Sequence, residues 1–401
     1  MRSYILLYAL LCCAIARGQS GADDRELRIG LFNEGAPAQV LVMSERGTCT
    51  VYANGVRKGE LAANDGLRMR VIDGRLSAKS LSLAFIANRI EVVPHDGGLR
   101  MRDPAVQYAE RTYPGVLEVS VQSGHMLLVD RVPLEAYTAG VVSAEAGREH
   151  HLEYYKLQSV SCRTYALTNQ GKHKLDGFEL CDGVHCQVFH GRNRNDSIRM
   201  AVDATRGLVI VDAEIKLIHA TFHSNCGGET LNAEDLWSKR EPYLRSTVDT
   251  FCLHAHHARW EKTLTRTEWL GYLDRKYGVK ATNTAAVAAM LNYEPTCREL
   301  YLGNTWPQVP LKNVREDLRL KSTWFSVHEA GDKVVLKGRG FGHAVGLCQE
   351  GAMAMARAHI SYTDILHQYY RDVHLVDLST LDFFREEMPA EVGNGGGPRG
   401  K

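Results

Sequence analysis

Val132-Pro133-Leu134-Glu135-Ala136-Tyr137-Thr138-Ala139-Gly140-Val141-Val142-Ser143-Ala144-Glu145 marks a change of period in the chain. Leu134, Thr138, Val141 and Glu145 follow at spacings of four, three and four, so they share one helical face. Pro133 suits the first helical turn and Gly147 a stop. A second helix is predicted from about Leu152 to Gln170, with Leu157, Val160, Thr164 and Leu167 on its inner face. Upstream, from Glu26 to about Val129, the text is strand-like. Asn54-Gly55, Asn64-Asp65-Gly66, Asp73-Gly74 and Asp96-Gly97-Gly98 punctuate it as turns. Gly115–Val121 and Met126–Asp130 read as a hairpin around Ser123-Gly124.

Downstream, Gly207–Val211 and Ile215–Phe222 read as strands. Thr267–Tyr277 and Thr284–Leu291 read as short helices in a polar insert near 258–311. Val334–Lys337 is a strand leading into Gly338-Arg339-Gly340-Phe341-Gly342-His343, and Gly351–His359 and Thr363–Tyr370 are helices. The expected class is α+β, a β-rich part over 21–130 packed on a mixed α/β core over 131–385. Residues 386–401, rich in Gly, read as a disordered tail.

Composition narrows the function. The chain has 401 residues, 44% hydrophobic and 24% charged, which excludes a coiled coil, a collagen-like fibre and a mostly disordered chain. Its formal net charge of +1 gives no basic excess to neutralise a phosphate backbone, so no nucleic-acid partner is expected. Residues 1–20 read as a secretory signal: Arg2, an apolar run from Tyr4 to Ala16, and small Ala14 and Ala16. That run is shorter than the about 20 apolar residues a bilayer span needs. Leu10-Leu11-Cys12-Cys13 leaves a lipid-anchored variant open. The expected setting is therefore the periplasm or cell envelope. Removing the leader leaves Cys49, Cys162, Cys181, Cys186, Cys226, Cys252, Cys297 and Cys348, an even count that permits disulfides.

Several constellations carry chemistry. Glu145 ends an otherwise apolar helical face and is followed by small Ala146 and Gly147. A carboxyl desolvated there would keep its proton for general-acid work; the plain alternative is an exposed glutamate at a fraying helix end. Cys181-x-x-x-His185-Cys186, with His173 upstream, suits a tetrahedral zinc site or a tight-loop disulfide. Cys226 and Cys252 can pair, and His254, His256 and His257 read as a solvated loop. The Gly338–His343 segment lacks both GxGxxG and a following Lys-Ser or Lys-Thr, so no nucleotide partner is expected. Its glycines would seat His343 on a tight turn, and Gln349 could offer an amide to a polar ligand. There is no Gly-x-Ser-x-Gly nucleophile elbow, and Cys162, mid-helix among apolar neighbours, reads as an inert thiol.

In order along the chain, these blocks resemble the stage II sporulation protein D (SpoIID/LytB) family. They are Val132–Glu145, Arg163-Thr164-Tyr165-Ala166-Leu167, Cys181–Phe189, His223–Thr230, Glu241-Pro242-Tyr243-Leu244, and Gly340–Gly346 with Gln349 and Gly351-Ala352. The match is weak over the β-rich half, where Arg111-x-Tyr113-x-Gly115 is the best piece. The resemblance implies a lytic transglycosylase acting on peptidoglycan glycan strands freed of stem peptides. It makes Glu145 the catalytic acid and base. It implies zinc held by Cys181, Cys186 and His173, with His185 as rival or additional ligand. Arg163, Gln187, Ser224, His343 and Gln349 fall in family motifs as glycan contacts or cleft supports. Ala146-Gly147 departs from the Met-Pro often found after the glutamate, and Cys162 from a small residue. Two other readings stay open: a non-catalytic glycan-binding protein or modifier of a cell-wall amidase, and a metallohydrolase using the Cys/His cluster.

Overall fold

The computed structural model describes residues 25–381 except 34, 36, 103–109, 148 and 304. The expected leader and tail lie outside the described residues.

The N-terminal part is a single large sheet of β1 (Glu26–Leu31), β2 (Gln39–Ala53), β3 (Val56–Leu61), β4 (Leu67–Ile72), β5 (Arg75–Lys79), β6 (Ala84–Ala87), β7 (Arg89–Arg102), β8 (Arg111–Tyr113), β9 (Val116–Gln122), β10 (His125–Pro133) and β11 (Leu180–Cys181). The order is β11-β1-β10-β9-β7-β2-β4-β5-β6, with β3 on β2 and β8 on β7. Alternation drives it: in β4, Leu67 and Met69 are buried while Arg68 and Arg70 face solvent. The β9–β10 hairpin forms where the sequence places it, with Ser123 at φ 50° and Gly124 at φ 80°. Successive positive φ values match a primed turn, the geometry that suits twisted strands. β1 joins the hairpin antiparallel and β11 parallel, so residues after the second helix return to the sheet edge.

Helices α1 (Leu134–Glu145) and α2 (Leu152–Thr168) follow β10 directly. Pro133 is the residue before the first turn, and Gly147 takes φ 73° to end α1. α2 differs from the expected one-faced helix. Tyr154, Tyr155, Gln158, Ser159, Ser161, Cys162 and Arg163 are buried along with the apolar row, so it is enclosed on all sides. Around it stand α3 (Asp196–Ala204), β12 (Leu208–Val211), β13 (Phe222–His223) and α4 (Ala233–Trp237).

The insert is a unit with its own core. β14 (Arg259–Thr265), α5 (Arg266–Tyr277), α6 (Thr284–Leu291), β15 (Asn292–Tyr293), α7 (Leu311–Asp317), β16 (Phe325–Ala330) and β17 (Lys333–Arg339) enclose Trp260, Trp269, Met290, Phe325 and Leu336. Its four strands run β14-β17-β16-β15. The unit therefore extends past position 311, because β14 has no partner until β17. The chain then re-enters the main core through β18 (Leu347–Cys348), α8 (Gln349–Arg357), α9 (Tyr362–Tyr369) and β19 (His374–Asp377), with β18 parallel to β13 and β19 antiparallel to β12.

The expected strand over Ile215–Phe222 is mostly absent. Asp212 Oδ1 accepts from Glu214 and Lys216 N–H, and Ile215 sits at φ 60°, so a turn occupies its start. Beyond it, His219 N–H donates to Tyr243 Oη and Thr221 O accepts from Tyr370. Side chains take the bonds a neighbouring strand would have supplied.

Candidate functional site

Glu145 is the last residue of α1. Its Oε1 accepts a 2.8 Å hydrogen bond from Val188 N–H, which fixes the carboxyl against the 181–190 segment. Burial raises its pKa above the ordinary glutamate value, outweighing the Val188 donor, which lowers it. The carboxyl is partly buried and therefore neither frayed nor freely solvated. Cys162, Tyr154 and Tyr165 of α2 lie within its electrostatic reach. Val188, whose N–H holds the carboxyl, also lines an open groove of about 360 Å³ together with Phe32, Arg111, Asp182 and His190 among others; Glu145 itself is not part of that lining.

The 181–190 segment is anchored at two points. Asp182 accepts from Phe32 N–H at 2.9 Å, and its own carbonyl accepts from Phe189 N–H at 3.1 Å. The second anchor is a cluster of His173, Cys181, His185 and Cys186, whose donor atoms lie within 4.8 Å of one another. His173 Nε2 is 3.2 Å from His185 Nδ1, and both sulfurs are 4.0 Å from that same nitrogen. Tetrahedral zinc with Zn–S of about 2.3 Å and Zn–N of about 2.0 Å spaces its ligands at roughly 3.3–3.8 Å, so the residues fit such an ion. His173 Nδ1 meets Asp176 Oδ2 at 2.8 Å, which turns Nε2 inward as a metal-bound imidazole requires. Asp176 carried no distinguishing signal in the sequence. None of the eight described cysteines is disulfide-bonded in this structure.

The remaining sequence-derived residues divide into two groups. Arg163 is fully buried, and its Nη2 and Nε bind Glu135 at 2.5 and 2.9 Å while Nη1 donates to Leu208 O at 3.0 Å. With its guanidinium occupied this way, Arg163 supports α1 and α2 and is not free to touch a glycan. Gln187 is likewise buried, with Oε1 accepting from Tyr137 at 3.4 Å. Both therefore brace the site from behind.

Ser224, His343 and Gln349 belong to the β13–β18 region, and among the described residues none of them hydrogen-bonds to Glu145. His343 Nδ1 accepts from Val345 N–H at 3.1 Å and Nε2 donates to Phe222 O at 2.9 Å. Burial pushes its pKa down to about 4, so it is a neutral ring tying two loops. Gly342 beside it has φ 115°, and a Cβ there would lie 2.8 Å from His223 Cβ. Gln349 opens α8 and is buried, with no partner for Nε2 among the described residues. Ser224 Oγ is 3.2 Å from His257 Nδ1, and Glu350 Oε1 is 2.7 Å from the same atom. A Ser-His-carboxylate relay uses both ring nitrogens, so this trio does not activate a serine. The histidine loop is thus tied down at His257, a link invisible in the spacing.

Comparison with known proteins agrees with this layout. Residues 122–211 match the family model described as stage II sporulation protein, SpoIID. That span contains α1, α2, Glu145 and the four Cys/His donors. The chain is 29% identical over 291 residues to an uncharacterized protein of Brachyspira hyodysenteriae, covering 70% of this chain and 76% of that one. It is 27% identical over 304 residues to stage II sporulation protein D of Bacillus subtilis, covering 72% and 86%. It is 26% identical over 288 residues to an amidase enhancer of the same organism, covering 58% of this chain and 39% of that one. The SpoIID resemblance is borne out.

Proposed function

We propose that this SpoIID-like chain is an exported lytic transglycosylase, cleaving the β-1,4 link from N-acetylmuramic acid to N-acetylglucosamine in stem-peptide-free peptidoglycan. The observation that carries the reading is Glu145: one partly buried carboxyl with a raised pKa, held by the backbone N–H of Val188, a residue that lines an open groove. Glycosidases that use water need two carboxylates. A lytic transglycosylase needs one. Protonated Glu145 gives its proton to the glycosidic oxygen as the C1–O4 bond breaks. The carboxylate then takes the proton of the sugar's own C6 hydroxyl as O6 closes on C1. The products are a free 4-hydroxyl and a 1,6-anhydro end, and the enzyme recovers its proton. No second carboxylate and no attacking water enter the balance.

His173, Cys181, His185 and Cys186 would hold zinc. A bound ion would act as a structural clamp on the segment that presents Val188 N–H to Glu145. The purified protein should convert stem-peptide-free glycan into fragments with anhydro-muramyl ends by mass spectrometry. Glu145→Gln should abolish them. Reducing ends would replace this reading with hydrolysis.

The second reading is binding without cleavage, and the amidase-enhancer relative favours it. It predicts intact strands that co-sediment equally with wild type and Glu145→Gln, together with stimulation of a cell-wall amidase.

A further inference from the structure

A second cluster of thiols shares no residue with the Cys/His group. Cys226, Asp249, Cys252 and Cys348 are buried, and their donor atoms all lie within 4.8 Å of one another. Cys226 Sγ is 3.4 Å from Cys252 Sγ and 3.3 Å from Asp249 Oδ2. Three segments widely separated in sequence supply them: the loop after β13, the turn before the insert, and the N-cap of α8.

Backbone N–H groups point at one of the sulfurs. Cys348 Sγ accepts from Cys226 N–H at 3.3 Å and from Gly351 N–H at 3.4 Å. Cys348 also caps the N-terminus of α8, where the helix dipole favours negative charge. Asp249 Oδ1 accepts from Phe251 N–H at 3.0 Å and Oδ2 from Tyr369 at 3.0 Å, so the carboxylate is oriented with Oδ2 toward the sulfurs. A buried carboxyl among sulfurs either takes up a proton, the direction in which burial raises the Asp249 pKa, or is compensated by a cation. Buried Arg298 lends the cluster positive charge without binding its donor atoms, since it donates to Glu229 O at 2.8 Å and to Cys226 O. A disulfide would use two of the sulfurs and orphan the third.

We propose that Cys226, Cys252 and Cys348, with Asp249 as fourth donor, form a second metal centre that takes a thiophilic divalent cation, zinc in the first instance. Two thiolates on tetrahedral zinc stand about 3.8 Å apart, so the sulfurs need move only by tenths of an ångström. Four protein donors leave no open position, which makes the centre structural. It sits at the root of the inserted unit. Arg298 of that unit reaches the carbonyl of Cys226, and Trp324 stacks between Arg298 at 4.8 Å and Arg339 at 5.1 Å. The centre would clasp the insert's base to α8.

The test is metal stoichiometry by native mass spectrometry on the reduced full chain supplied with zinc. The wild type should carry two zinc ions. Cys181→Ser/Cys186→Ser should keep one, and adding Cys226→Ser/Cys348→Ser should remove it. Cobalt in the Cys181→Ser/Cys186→Ser chain, whose second cluster is intact, should give a thiolate-to-cobalt charge-transfer band. One zinc in both the wild type and the Cys181→Ser/Cys186→Ser chain would still support the second centre while removing the first. No metal and no cobalt band in the Cys181→Ser/Cys186→Ser chain would overturn the proposal. So would a Cys226–Cys252 disulfide in the peptide map of the untreated protein.

Discussion

Replacing Arg163 by methionine separates support from substrate contact. The guanidinium has no exposure and makes three hydrogen bonds, two to Glu135 and one to Leu208 O. Methionine keeps most of the volume and removes all three. It leaves Glu135, whose side chain is 13% exposed, with Gly207 N–H at 3.2 Å as its remaining donor from that set. Breaking one partner of a buried pair costs about 3–5 kcal/mol, because the other charge stays buried. The residual exposure of Glu135 favours the lower end, about 3 kcal/mol. At about 2 °C per kcal/mol for a chain of this size, Tm should fall by about 6 °C. Changing Glu135→Gln as well removes the stranded charge, so the double variant should lose less than the sum of the two single losses. Thermal unfolding of the four proteins measures this. At a temperature where all are folded, KM on stem-peptide-free glycan should stay near wild type. A Tm unchanged within about 1 °C with KM raised severalfold would refute the argument and make Arg163 a glycan contact.

Other outcomes follow from the same geometry. A raised Glu145 pKa means the acid form persists above the ordinary value of 4.5, so activity should decline as pH rises through the higher pKa; an alkaline limb at or below 4.5 would contradict this. Asp130 is fully buried, and burial raises its pKa to about 8, outweighing the Gly115 backbone N–H, which lowers it. The folded state keeps this proton to about pH 8 while the unfolded chain releases it near 4, so stability should fall with rising pH across that window, by at most about 1.4 kcal/mol per unit. Urea unfolding of Asp130→Asn should show a flatter profile than wild type between pH 5 and 8. A Cβ on Gly338 would lie 2.0 Å from the Trp260 ring, so Gly338→Ala should destabilise the inserted unit by about 3 kcal/mol, read as earlier unfolding by tryptophan fluorescence.

The elements that position Glu145 were legible because each has its own local signal. The apolar period gave α1, Gly147 its stop, and Ser123-Gly124 the hairpin before it. α2 was legible as a helix but not as a central one. Several of its buried polar groups have specific partners: Gln158 donates to Tyr154 Oη at 3.2 Å, and Ser159 to Tyr155 O at 2.7 Å. Sequence periodicity reads a polar residue as solvent-facing and cannot see such partners. The insert's extent escaped for a related reason. β14 pairs with β17 across 68 to 80 positions, and nothing local at Arg259 announces a partner at Arg339. Cys348 escaped as a neighbour of Cys226 because parallel pairing of β13 with β18 brings them together over 122 positions.

Metal removal distinguishes the clamp from a metallohydrolase centre. The only hydrogen bond the described residues give Glu145 comes from Val188, two positions beyond Cys186. Asp182 pins the start of that segment to Phe32, and the Cys/His cluster pins the stretch between. Without a metal, Cys181 and Cys186 are two thiols near two imidazoles, held by contacts of 4.0 Å that a protonated cluster does not need. Chelation should therefore loosen the segment from Cys186 onward while β1 and β11 stay paired. Hydrogen exchange should quicken at Val188 and stay slow at Ile29 and Gly30. Cleavage should fall in step with Val188 protection, and readdition of zinc should restore both. A metallohydrolase would lose activity on chelation with Val188 protection unchanged, and that pattern would refute the clamp.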